Sequence, residues 1–93
     1  MTDNIVAHNI SDVEYRFTQS ARKHGIAKGR ALFVIDNYLP EEIPHFASGE
    51  RKLFWQGLDD RGLELEIVGI QIDTIVLVIH VMPRKFRGGQ DGL

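Results

Sequence analysis

The sequence predicts an α+β domain, with two N-terminal helices packed on a three- to four-stranded antiparallel sheet. Three observations carry that expectation. Residues 11–38 hold two stretches of helical apolar spacing separated by Gly25. Residues 51–82 alternate apolar with polar or run apolar on both faces, as strands do. Turn chemistry divides that second half, at Ser48-Gly-Glu50 and at Asp59-Asp-Arg-Gly62. The chain of 93 residues suggests one domain over 1–93, with a loose arm at 1–9 and a flexible glycine-rich tail at 88–93.

In chain order, Ser11 and Glu14 have the spacing of a capping box, so a helix is expected to start there. Val13, Phe17, Ala21 and His24 then share one helical face, and Gly25 is a natural stop. A second helix is expected over residues 27–38, where Ala27, Ala31, Val34, Ile35 and Tyr38 share a face that Leu32 and Phe33 widen. Pro40 ends it. A short edge strand is expected at residues 43–47, with Pro44 confining it to the rim. Residues 51–58 read as a strand apolar in part on both faces, and 59–62 as a hairpin loop. Leu63, Leu65 and Ile67 alternate with Glu64 and Glu66, which places the two glutamates toward water. Residues 71–74 form the next turn. The strand at 74–82 then sends Ile75, Leu77, Ile79 and Val81 one way and Val76, Val78, His80 and Met82 the other. Apolar on both faces, it is expected at the centre of the sheet, with Pro83 at its end.

Hydrophobic residues make up 43% and charged residues 26%, the balance of a globular chain. Without cysteine there is no disulfide scaffold, thiol nucleophile or cysteine zinc site. The longest apolar runs, 31–35 and 75–79, are far short of a membrane span. The opening residues lack the basic start and apolar core of a signal peptide, so a cytoplasmic protein away from membranes is expected. The net charge is -2, but its distribution is uneven. Arg16, Arg22, Lys23, Lys28 and Arg30 give residues 16–30 a charge of +5. Residues 36–73 carry nine acids against three bases, and Arg84, Lys85 and Arg87 then follow. If the two basic segments meet in space, they form a positive patch on an acidic protein.

None of the glycine-rich phosphate loops, zinc-helix motifs or nucleophile elbows occurs. His8, His24, His45 and His80 show no ligand spacing, so neither a metal nor a cofactor is expected. Ser11, Ser20 and Ser48 suit a cap, a helix face and a turn better than a triad. What remains is an imidazole followed by cations. His80 can act as general acid or base, or it can be a core histidine held by backbone or acid. On an RNA substrate, Arg84, Lys85 and Arg87 would hold the scissile phosphate as the ribose 2′-OH attacks. His24 is a second imidazole, and Phe54, Trp55 and Phe86 could stack bases.

Two stretches, Ser20-Ala-Arg-Lys-His-Gly-Ile26 and Ile79-His-Val-Met-Pro-Arg-Lys-Phe-Arg87, resemble the BrnT branch of the RelE-like ribonuclease toxins of toxin–antitoxin modules. Lys23-His24-Gly25 matches the family's helix end, and residues 78–87 match its closing strand into arginines. The resemblance implies a compact α+β fold, RNA as substrate whether free or on the ribosome, and a cognate antitoxin protein; a homodimer stays open. The expected catalytic set is His80, Arg51, Arg84 and Lys85. The expected RNA-binding set is Arg22, Lys23, His24, Lys28, Arg30 and Arg87. The competing expectation is a non-catalytic protein-interaction module with the same fold, joined through the edge near Pro44 or an apolar strand face.

Overall fold

Where the sequence predicts a first helix, the chain forms a strand. The structure, a computed structural model, describes residues 13–45 and 47–86. The arm at 1–9, the Ser11 cap, His8, Phe46, Arg87 and the tail at 88–93 lie outside the described residues. β1 spans Glu14–Phe17, and a 3-10 turn follows at Ser20–Arg22. Then come α1 (Lys28–Asn37), β2 (Glu41–Ile43), β3 (Arg51–Leu58), β4 (Glu64–Ile72) and β5 (Ile75–Pro83). The strands form one five-stranded sheet in the order β1-β5-β4-β3-β2. β1 runs parallel to β5, and all other neighbours are antiparallel. The expected two helices on a three- to four-stranded antiparallel sheet are therefore corrected to one α-helix on a mixed sheet of five strands.

The reason lies in residues that fit two periods at once. Val13, Phe17 and Ala21 satisfy helical spacing, but Val13, Tyr15 and Phe17 also alternate, and all three pack against the core. Between them, Glu14 and Arg16 point outward and pair at 2.8 Å. A partner strand decides between the two readings, because strand preference follows from what the side chains pack against. β5 supplies that partner through the register Glu14↔Ile75 to Phe17↔Val78. The ends are fixed by Glu14 N–H to the Thr74 carbonyl at 2.7 Å and Thr18 N–H to the Val78 carbonyl at 3.1 Å.

The second helix forms as expected. Ala27 precedes it without a side-chain cap, so its stability comes from the face that buries Ala31, Val34 and Ile35. That face lies on β3 and β4. With Ala21 it meets Leu53 and Trp55 of β3, Leu65 and Ile67 of β4, and Val76, Val78 and Val81 of β5. Each such fully buried aliphatic side chain contributes about 1.5–3 kcal/mol. Trp55 is 2% exposed, which makes it core and removes it as a base-stacking platform. β2 is an edge strand, but it ends at Ile43 where a strand over residues 43–47 was expected. Pro44 follows at once and has no N–H to continue the ladder.

β5 departs from strict alternation. Val68 pairs with His80 and Gly69 with Val78, which leaves Ile79 as an extra residue in a bulge. Val76, Val78 and Val81 consequently share the helix-covered side, opposite to the expected grouping of Val78 with His80. The bulge faces Gly69, where a side chain would press on Val76 Cγ1 at 2.8 Å and on the Trp55 ring. β4, not β5, is the middle strand. No described helix is long and apolar enough to cross a membrane.

One ion pair ties the helix to the β3–β4 loop. The fully buried Asp59 carboxylate accepts from the N–H groups of Arg61 (2.8 Å) and Leu63 (2.9 Å), and from Arg30 Nε at 2.7 Å. Burial alone would raise its pKa; the Leu63 and Arg61 N–H groups and the Arg30 guanidinium outweigh that and hold it below the ordinary aspartate value. A carboxyl lowered in this way stabilises the fold above about pH 4, and the contribution is lost as pH falls toward its folded pKa. Asp59→Asn is expected to cost about 2–4 kcal/mol at neutral pH. It is also expected to flatten the loss of stability below pH 4, as read by urea unfolding at several pH values. Two glycines give an opposed pair. A Cβ on Gly57 would run into the ring of Tyr38, so Gly57→Ala should destabilise by about 1–3 kcal/mol. Gly29, inside α1, has nothing within 4 Å, and Gly29→Ala should stabilise by about 0.5–1 kcal/mol in the same assay.

Candidate active site

The sheet face opposite α1 is uncovered among the described residues, and the ladder lays its side chains out in transverse rows. One row is Phe54, Val68 and His80; the next is Gln56, Glu66 and Met82. The β5 bulge turns His80 onto this face while Val78 and Val81 stay in the core. His80 Nε2 lies 2.9 Å from Glu66 Oε2. The Glu66 side chain is 2% exposed and the His80 side chain 32%, so the imidazole roofs a buried carboxylate. This corrects the expectation that Glu66 faces water. With the carboxylate ionised, Nε2–H donates to it, which holds the ring and leaves Nδ1 as its other nitrogen.

A second imidazole arrives from the turn after β1. Ser20 Oγ donates to the Ile79 carbonyl at 2.8 Å, and Thr18 Oγ1 donates to the Val78 carbonyl at 3.2 Å. These bonds fasten the turn to β5 at the bulge, where β1 has ended and the β5 edge would otherwise be bare. Gly25 closes the turn with φ +72, a left-handed conformation that suits glycine, and its N–H donates to the Arg22 carbonyl at 3.1 Å. His24 is thereby set against the sheet corner. Its ring centroid lies 6.3 Å from that of His80, edge to face, and 5.6 Å from that of Phe86.

The expected site residues divide. Lys23, beside His24, is exposed, as are Arg84 and Lys85 beside Phe86. The two basic segments therefore meet at the corner that holds the paired imidazoles. Arg84 Nη1 is 3.9 Å from Glu64 Oε2, a loose surface contact. Arg22 and Lys28 line a neighbouring cavity of about 300 Å³ with Phe17, and Lys28 Nζ stands 5.7 Å from the Phe17 ring. Arg30 is committed to Asp59. Arg51 shares the helix side of β3 with Leu53 and Trp55 and bonds to Glu42 at 3.2 Å and Gln71 at 3.3 Å, away from His80. His45 pairs with Glu50 at 2.7 Å. No group of His, Cys, Asp and Glu among the described residues could hold a metal ion.

Chemically, the corner offers two proton-exchanging rings, a carboxylate that orients one of them, and cations on both sides. Glu66 is the residue that sequence reasoning missed. The signal was present in the ladder: Glu66 lies across from Met82, one row from His80, but only the strand register shows it. No protein-family model matches the chain, and no curated protein or solved structure matches it significantly. The likeness to BrnT and RelE-like toxins thus rests on the two short stretches alone.

The pairing of His80 with Glu66 is open to a double-mutant cycle. His80→Ala, Glu66→Gln and the double variant should show a coupling of about 0.5–3 kcal/mol in urea unfolding, the size found for residues in direct contact. Additive effects would mean that the contact contributes nothing to the fold.

Proposed function

We propose that the protein is a metal-independent ribonuclease of toxin–antitoxin type. The observation that carries this reading is the pair of imidazoles 6.3 Å apart, with a buried carboxylate behind one of them. RNA cleavage by transesterification needs this equipment and no metal. The 2′-oxygen attacks phosphorus as one ring takes its proton, and the P–O5′ bond breaks as the other ring protonates the departing 5′-oxygen. The products are a 2′,3′-cyclic phosphate and a 5′-hydroxyl, with no net gain or loss of protons. His80 suits the base, because Glu66 holds its ring in place, as the aspartate orients the histidine of a serine triad. His24 suits the acid. Arg84, Lys85 and Lys23 lie close enough in the chain to these rings to offset charge on the phosphate, and Arg22 and Lys28 extend the cationic track for the RNA backbone. Arg30 and Arg51 are left out of this proposal, since their guanidinium groups are engaged elsewhere. A cognate antitoxin would neutralise by covering the same corner.

The interaction-module reading keeps one observation in its favour. Leu39 is 94% exposed at the rim of a cavity of about 560 Å³ beneath the end of α1, on the other side of the sheet. Activity decides between them. Purified protein should cleave single-stranded RNA in EDTA. His80→Ala and His24→Ala should each lower the rate by roughly 100- to 10,000-fold. Arg84→Ala with Lys85→Ala should weaken RNA binding and flatten its dependence on salt. Intact RNA with the unaltered protein, or full activity in both histidine variants, would remove the ribonuclease reading.

A further inference from the structure

We infer that the uncovered sheet face beside His80 is a nucleobase subsite for single-stranded RNA, with Phe54 as its stacking platform; this rests on the ribonuclease reading and names where the substrate's base goes. A shallow cavity of about 430 Å³ begins at His80 and Glu66 and extends across the sheet to Ile43 of β2. Val68, Ile79 and Phe54 give it an apolar lining, and Lys52 lines it too. Phe54, Val68 and His80 are successive members of one cross-strand row. Two strand spacings, about 10 Å, therefore separate the aromatic ring from the imidazole.

That order matches the order of parts in a nucleotide. A phosphate held between His24 and His80 leaves its neighbouring base over Val68, against the Phe54 ring. Phe54 is half-buried and lines the cavity, so part of its side chain is reachable from the open face. An aromatic ring fixed on an open sheet binds an unstacked base by its flat face, and a base inside a duplex cannot reach it. Lys52 stands at the far end, where its ammonium can meet the next phosphate. Positive charge thus flanks the apolar lining on both sides, with Arg84 and Lys85 beyond His80 in the chain and Lys52 in the lining. A protein partner would gain from a uniformly apolar face; this one is interrupted by Lys52 and His80, which suits a small ligand with a polar rim.

The test uses the full chain and two readouts. The ring signals of Phe54 and the methyl signals of Val68 and Ile79 are followed by NMR as each of the four ribonucleoside 3′-monophosphates is added. The same protein and its Phe54→Leu and Lys52→Gln variants are then assayed on a single-stranded RNA oligonucleotide. The monophosphates should shift all three residues. Phe54→Leu should raise their Kd and the KM for RNA by roughly 5- to 100-fold, with a smaller change in kcat, and Lys52→Gln should flatten the salt dependence of KM. Cleavage with KM unchanged in Phe54→Leu would overturn the subsite and leave the ribonuclease standing. Nucleotide-induced shifts at Phe54 without any RNA cleavage would uphold the subsite and remove the ribonuclease. Shifts at these residues that follow protein concentration and ignore nucleotide would assign the face to a second copy of the chain and overturn the proposal.

Discussion

The rest of the molecule depends on how β5 is paired. It is bonded on both sides, antiparallel to β4 and parallel to β1, and it spends one extra residue, Ile79, midway. Without that bulge, period-2 alternation would put His80 on the same side as Val78, under α1 and away from Glu66. With it, Val76, Val78 and Val81 all reach the core while His80 turns to the open face. The same bulge lies where β1 ends, and its own carbonyl and that of Val78 accept from Ser20 and Thr18. A single irregularity thus sets the core, aims one imidazole and anchors the turn that carries the other. Gly69 is the opposing residue, and the space that Trp55 and Val76 take there leaves no room for a side chain.

A buried carboxylate has a cost that the fold must offset. Removing Glu66 from water is unfavourable unless it is bonded, and His80 Nε2 is one of its partners, at 2.9 Å. Asp59 solves the same problem differently. It collects two backbone N–H groups and a guanidinium, and so closes a hairpin onto the helix. Asp59 is enclosed by donors that cannot lose their protons at neutral pH. Glu66 instead lies under an imidazole that remains a third exposed.

Much of the second half was legible in the sequence. β3, its Asp-Asp-Arg-Gly loop and the boundaries of β5 follow from alternation and turn chemistry, and α1 from its buried stripe of Ala31, Val34 and Ile35. β1 was not, because Val13 and Phe17 are compatible with both periods and only the distant pairing with residues 75–78 selects one. The bulge was not, because an extra residue leaves no local mark in a run as uniformly apolar as 75–79. At the site, His80 and its adjacent cations could be singled out from residue type and position. Glu66 looked the same as Glu64 in an alternating strand, although one is buried and the other is not. Arg30 and Arg51 read as free cations because their partners Asp59, Glu42 and Gln71 come from other elements.

The central claim is that His24 and His80 move protons around a phosphodiester. The measurement that tests it most directly is the chemistry of the cut ends. Single-stranded RNA is incubated with the protein in EDTA and the fragments are weighed by mass spectrometry. Fragments ending in 2′,3′-cyclic phosphate, with 5′-hydroxyl on the other side of each cut, are the expected result. Fragments with 5′-phosphate and 3′-hydroxyl, or RNA left whole, would contradict it.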